Sequence, residues 1–526
     1  VFSWLPNRIG FDGPNPKGKD LPSNQNPIQH FSWWDARIDS EDRGSTFTYE
    51  VFPVVGPWDN LKLLTKKSRT IDCRIPKVEE QKIGTYFNRA VVSSQAFINE
   101  FGAAPTGAKY HQALSWLTNG MNEAIVSFIK ESEEFDGVIY HLADTEWVLP
   151  ALQETNAKVS FVYYYKPTSA SGKSPGDATN LKAIQLLKKK KNITFYPRTK
   201  TSIMHDKFLI RKKNNIPIAV LMGTANFTTE GLTSQANVIH TFDSPSLAVL
   251  YQRRHDLLAG DPAVAATAKE AAWSDKIKIG DVRVRVFFPP EPGKSRSSID
   301  VVVDAVKDAK SSVIFSLFSA TDQPLLDACF SAADEGKLMY GLVNTINEPK
   351  STDKETAATI AAIRLYNRSK DDFDVVGHAD FNKGDEPAGF WWETSKLSVP
   401  GAKTSGTFAP EVFVHNKFIV IDGETSLPTI FVGSANMSGN SVWHNDENLI
   451  EITKCPRISE IYIAEFMRLY EHYRARLAWN RRQKDTTASK KTFALSKNTG
   501  WAAKDYKPGT PEYKSRTILI QPLPKR

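Results

Sequence analysis

Cysteine is scarce. Cys73, Cys329 and Cys455 are the only three in 526 residues, too scattered for a zinc site and too few for a disulfide scaffold. One bridge at most is possible, and buried free thiols are the plainer expectation. No apolar run approaches the ~20 residues needed to cross a bilayer, so any membrane contact is peripheral. Nor is there a cluster of carboxylates and histidines spaced for a two-metal centre, and no metal or other cofactor is expected. An initiator methionine is missing as well: the chain begins at Val1, which fits either a removed signal peptide or trimming. The expectation adopted is a secreted protein that is not integral to a membrane.

What is present is ordinary for a soluble globular chain, 41% hydrophobic and 24% charged. The length exceeds one compact core and suggests two to four domains. A formal charge of +8 and a pI near 9.0 favour anionic partners. That covers phospholipid surfaces and nucleic acid alike.

The informative stretch is Glu411 to Glu451. His415 and Lys417 stand two residues apart in an apolar run, which places both on one face of a strand. A second apolar run then leads into Gly433, Ser434 and Asn436, small residues that let backbone N–H groups approach an anion. The same pattern occurs once earlier, with His205, Lys207, Gly223, Thr224 and Asn226. Eighteen residues separate the histidine from the glycine in both copies. A lone His-x-Lys carries little information, but two copies with this shared spacing do. Downstream, Asn237-Val-Ile echoes Asn448-Leu-Ile, which sets Ala236 opposite Glu447.

Both segments resemble the HKD motif of the phospholipase D superfamily, His-x-Lys-x-x-x-x-Asp followed by Gly-Ser-x-Asn. The second copy is complete through Asp422, whereas the first has Lys212 at the acidic position. The likeness spans roughly Phe87 to Trp479. It implies an α/β fold of two pseudo-symmetric α-β-α halves, each with a central mixed sheet, whose motif strands meet across one cleft.

Along the chain, residues 1–85 read as a β-rich region. The alternation in Ser45 to Val54 looks like the closing strands of a small fibronectin type III-like sandwich, with Phe31, Trp33 and Trp34 either packed in its core, the favoured reading, or presenting a binding surface. Residues 86–265 form the first half and 280–482 the second, and 483–526 is a lysine-rich tail packed on the body through Trp501 and Tyr506. In the first half, His111 to Glu131 has helical spacing throughout. A lysine run, Lys188 to Lys191, is most simply a solvated helix end. An insertion at Asn382 to Pro410 carries Trp391 and Trp392, candidates for a substrate lip.

Phosphodiester cleavage needs an in-line nucleophile, charge neutralisation and a proton for the leaving oxygen. Lys207 and Lys417 suit the phosphoryl oxygens as point charges, with Asn226 and Asn436 as amide donors. The resemblance implies a phosphohistidine intermediate, with His205 as nucleophile and His415 as acid and base. Gly223, Thr224, Gly433 and Ser434 are expected beside the phosphate. Glu447 is the candidate to orient an imidazole, either His205 or His415. Asp422 is expected to brace its strand, and Lys212 to face solvent. His141 and His240 read as hydrogen-bonded core residues. A monomer acting on phospholipid head groups, with possible transfer to an alcohol, is the leading expectation. A nuclease on the same scaffold and a catalytically impaired membrane-binding scaffold are the alternatives.

Overall fold

The computed structural model describes residues 2–90, 97–166, 179–345, 358–367, 376–379, 414–484 and 494–519, apart from a few short gaps within them. Trp391, Trp392 and their insertion lie outside the described residues. The chain divides into two compact units, Val1–Lys77 with Leu477–Lys525, and Val78–Arg476.

The larger unit is built on two eight-stranded mixed sheets. The first contains β1 (Glu79–Glu80), β2 (Ile83–Phe87), β3 (Glu134–Ile139), β4 (Lys158–Tyr164), β5 (Ile193–Arg198), β6 (Lys207–Lys213), β7 (Ile216–Gly223) and β8 (Val238–Phe242). Their spatial order is β5-β4-β3-β6-β7-β8-β2-β1. The second contains β9 (Ile277–Ile279), β10 (Val282–Phe287), β11 (Ser312–Leu317), β12 (Leu338–Val343), β13 (Val376–His378), β14 (Lys417–Ile421), β15 (Thr429–Gly433) and β16 (Leu449–Thr453). It repeats the same order, β13-β12-β11-β14-β15-β16-β10-β9. In each sheet the strands joined by helical crossovers pair in parallel, and the hairpin-linked ones are antiparallel. The expected duplication is therefore present, but its first half begins at β1 and β2, inside the region assigned to the N-terminal segment. Pairing of β2 with β8 pulls that strand into the sheet.

Apolar residues of β3, β4, β6 and β7, including Phe135, Phe161, Leu209 and Leu221, pack against Ile125, Phe128 and Leu152 of the covering helices. Each such side chain contributes about 1.5–3 kcal/mol on burial. The helical stretch His111 to Glu131 is two helices, α1 (Gly107–Thr118) and α2 (Met121–Lys130). Asn119 and Gly120 both have positive φ, which ends α1 in a left-handed cap. The halves meet through reciprocal aromatic contacts. Phe87 of the first half lies edge-on to Phe418 and Tyr462 of the second, and Phe288 of the second lies edge-on to Tyr251 of the first. Tyr251 and Tyr462 sit on equivalent helices, α3 (Pro245–Ala259) and α4 (Pro456–Lys484).

In the smaller unit, the described strands pair only as two-stranded ribbons, of which Thr46–Val51 with Arg69–Arg74 is the longest, and the tail adds short helices at Ala503–Tyr506 and Pro511–Ile518. The region is β-rich as expected, but among the described residues the two packed sheets of a fibronectin-like sandwich are not found. Phe31 and Trp33 are exposed rather than core residues. The tail residues Trp501 and Tyr506 pack on Phe31, so the tail forms one unit with the N-terminal segment. All three cysteines are free thiols, two of them buried. Among the described residues no helix is long and apolar enough to cross a membrane.

Candidate active site

The two motif segments come together at the seam between the halves. Short parallel bridges, Met204 with Asp446 and Ala236 with Val414, lock each histidine-bearing segment to the opposite half. His205 N–H donates to Asp446 O at 2.8 Å, and His415 N–H donates to Ala236 O at 3.1 Å. Both histidines therefore sit just ahead of their strands, which begin at Lys207 and Lys417.

Each lysine folds back on its own motif. Lys207 Nζ donates to His205 O at 2.6 Å and Lys417 Nζ to His415 O at 2.8 Å. Each ammonium also faces a ring, Tyr140 at 4.9 Å and Phe318 at 5.3 Å, at the ends of the equivalent strands β3 and β11. The same rings contact His205 and His415.

The imidazoles are held across the seam by unlike acceptors. His205 Nδ1 lies 2.9 Å from Glu447 Oε2, a carboxylate of the second half. His415 Nδ1 lies 2.9 Å from Asn237 Oδ1, an amide of the first half. Asn237 Nδ2 donates to Gly231 O and Gln235 O, which fixes its oxygen as the atom facing His415. In their neutral forms both rings thus carry the proton on Nδ1 and leave Nε2 as the free nitrogen.

Strand register corrects the pairing suggested by sequence. Gly223 lies opposite Ile239 and Gly433 opposite Leu449, sixteen residues on in each half. Asn237, not Ala236, is consequently the counterpart of Glu447, and Ala236 that of Asp446. The acidic position is filled by an amide in the first half, not left empty.

Burial dominates the electrostatics. It pushes His205 and His415 well below the usual imidazole range, and Lys207 and Lys417 push both further down. Burial also lowers Lys207 to about 7, against the pull of Glu447 and Asp206. Lys417 falls well below the usual range through burial and the charge of Lys207. Glu447 rises to about 7 through burial, although Lys207, Ser434 and Ser441 oppose the rise. The site is thus desolvated and lined by four basic groups that burial holds toward their neutral forms and that a bound anion would favour in their protonated forms.

Several expected substrate contacts turn out to be supports. Thr224 and Ser434 are fully buried; Thr224 Oγ1 donates to Asn237 Oδ1 at 2.7 Å, and Ser434 Oγ to Glu447 Oε2 at 2.6 Å. Gly223 and Gly433 admit the neighbouring strand, because a Cβ would stand 2.2 Å from Val238 O and from Asn448 O respectively. Asn226 and Asn436 have buried Oδ1 atoms without a hydrogen-bond partner. Asp422 accepts N–H groups of Lys310 and Ser311, bracing the start of β11. Lys212 does not face solvent; its Nζ donates to Asp136 at 2.7 Å. His240 is a core residue, bonded to Gly84 O and Tyr462 OH. His141 is only half-buried, stacked on Tyr140.

Asn237, Asp446, Arg198, Arg254, Tyr140 and Phe318 escaped the sequence reading. Asn237 had a signal, an amide bearing the same distance from its glycine as Glu447 does. The arginines had none, since they lie outside both motifs.

Residues 302–470 match the family model described as cardiolipin synthase, PLD-like domain. No curated protein matches the chain. Among solved structures, similarity is found to phosphatidylserine synthase of Haemophilus influenzae Rd KW20, with TM-score 0.45 and 11% identity over 68% of this chain and 85% of that one. Yeast tyrosyl-DNA phosphodiesterase gives TM-score 0.33 and 12% identity over 62% and 86%. Nuc of Salmonella typhimurium, a phospholipase D family member, gives 0.22 and 16% over 26% and 86%.

Proposed function

From the match of residues 302–470 to a PLD-like family model and the two motif histidines, we propose that the chain is a metal-independent phosphodiesterase of the phospholipase D superfamily that cleaves phospholipid head groups through a phosphohistidine intermediate. The observation that supports this most is the pair of Nδ1-anchored imidazoles, one backed by a carboxylate and one by an amide.

In this reading His205 Nε2 attacks phosphorus while the bond from phosphorus to the departing alcohol breaks. His415, entering protonated, gives its Nε2 proton to that oxygen. Water or an alcohol then attacks, His415 takes its proton, and the P–N bond breaks. Phosphorylation makes the His205 ring cationic, and the Glu447 carboxylate stabilises that charge. His415 must release a proton, which the neutral Asn237 partner favours. The unlike acceptors thus support His205 as nucleophile by chemistry as well as by resemblance. Lys207 and Lys417 would neutralise the phosphoryl oxygens, and the Nδ2 groups of Asn226 and Asn436 would donate hydrogen bonds to them.

The nucleic-acid alternative was motivated by the basic balance of the chain. Residues 78–476, which carry the site, hold 44 Lys and Arg against 47 Asp and Glu, so the excess positive charge belongs to the other unit. The lipid reading is preferred on that ground. Head-group release from mixed phosphatidylcholine and phosphatidylglycerol vesicles, measured in EDTA beside plasmid and single-stranded DNA, tests it. Release abolished in His205→Ala and His415→Ala supports the proposal. DNA cleavage without head-group release would replace it with the nuclease reading, and neither activity would favour a binding scaffold.

A further inference from the structure

The carboxylate-backed histidine is flanked by two more buried acids. Asp206 follows His205 and Asp446 precedes Glu447, and both are fully buried. One guanidinium reaches both. Arg254, on α3, donates from Nε to Asp206 Oδ2 at 3.2 Å and from Nη2 to Asp446 Oδ1 at 3.5 Å, with Nη2 also bonded to Pro289 O at 2.6 Å. Arg198 Nε holds the other oxygen of Asp446 at 2.8 Å, and Asn448 Nδ2 holds the other oxygen of Asp206 at 2.8 Å.

The second half provides an internal control. Register places Asn416 where the first half has Asp206, and Ala236 where the second has Asp446. Tyr251 and Tyr462 make matching edge contacts with Phe208 and Phe418, so Glu465, three residues after Tyr462, stands where Arg254 stands. All three charged positions are replaced together around His415.

We infer that Arg254 is a positioning residue for the nucleophile: by tying Asp206 to Asp446 it holds His205 and Glu447 at bonding distance across the seam. The inference rests on His205 being the attacking group. A guanidinium suits the task because its planar fork serves two acceptors at once, which an ammonium does not do with fixed geometry. Arg254 touches neither the imidazole nor the site of bond cleavage, so it works through its neighbours.

The test compares wild type with Arg254→Gln, with the double variant Asp206→Asn/Arg254→Gln, and with Glu465→Gln. The double variant removes the carboxylate that Arg254→Gln would leave uncompensated, placing at 206 the amide that the second half has at Asn416, so it guards against simple misfolding. Turnover of bis(p-nitrophenyl) phosphate is expected to fall about 10²-fold in kcat with KM little changed in both Arg254 variants, while the double variant regains its melting temperature. Glu465→Gln is expected to match wild type. The far-downfield proton resonance of His205 Nδ1–H, identified by its loss in His205→Ala, is expected to shift or broaden in both Arg254 variants. Restored kcat and an unmoved resonance in the double variant would reduce Arg254 to a charge-compensating role and overturn the inference. Absence of wild-type turnover would count against the catalytic reading alone, since the resonance still reports whether Arg254 sets the pair.

Discussion

Lys212 Nζ lies 2.7 Å from Asp136 Oδ2, joining β6 to β3 by an ion pair where the second half uses a carboxylate on backbone N–H groups. The departure from the motif is a change of partner and not a loss of bracing. Lys212→Asp, which would complete the motif in sequence, is expected to destabilise the protein, because it sets a second carboxylate beside the buried Asp136. Removing one member of a buried pair costs about 3–5 kcal/mol. Chemical denaturation should show a lower midpoint with an unchanged slope, while kcat per folded molecule stays near wild type.

Glu447→Gln keeps the shape but removes the charge that offsets a cationic His205. A loss of roughly 10² to 10⁴ in kcat is expected, with the trapped phosphoenzyme reduced in a quench experiment. Equal amounts of adduct in variant and wild type would speak against the assigned roles.

Asn237→Asp exchanges the amide at His415 for a carboxylate. Burial, Lys417 and Lys207 hold this imidazole below its usual range, and an adjacent anion raises it. The acid acts protonated, so the alkaline limb of the kcat/KM profile should move to higher pH. A shift to lower pH, or none, would contradict the placement of His415 as the acid.

Lys207, lowered to about 7 by burial, is largely neutral at pH 8 in the free protein. A bound phosphate restores its affinity for a proton, and Lys417 responds in the same sense. Calorimetry of inorganic phosphate binding at pH 8, in buffers of different ionisation enthalpy, is expected to show uptake of roughly one to two protons. Lys207→Met should lower that number by about one.

Gly433→Ala forces a methyl group against Asn448 O. Overpacking of this kind costs about 1–3 kcal/mol, and here it also pushes apart the strands that present Glu447. Reduced melting temperature and reduced kcat should appear together.

The duplication, the strand-bearing runs and the two histidines were legible because apolar periodicity and repeated spacing are local properties. What failed was a matter of one residue. The likeness of Asn237-Val-Ile to Asn448-Leu-Ile shifted the second strands against each other by one position, and side chains alternate faces, so a slip of one assigns the wrong residue to the seam. Only the pairing of Gly223 with Ile239 sets the frame. The break at Asn119 and Gly120 was written in the sequence as a turn pair, yet the continuous apolar spacing on either side hid it. The Arg254 bridge depends on helix placement relative to two distant segments, which no window of the chain contains. Among the described residues the N-terminal strands pair only two by two, without the packed sheets of a sandwich.

Each imidazole finds its acceptor on the other copy of the fold. Neither repeat can therefore be excised as a working enzyme, and fragments of the chain could regain activity only by reassembling as a complementary pair. The two copies are bound to a shared history: drift in one is answerable only by substitution in its twin.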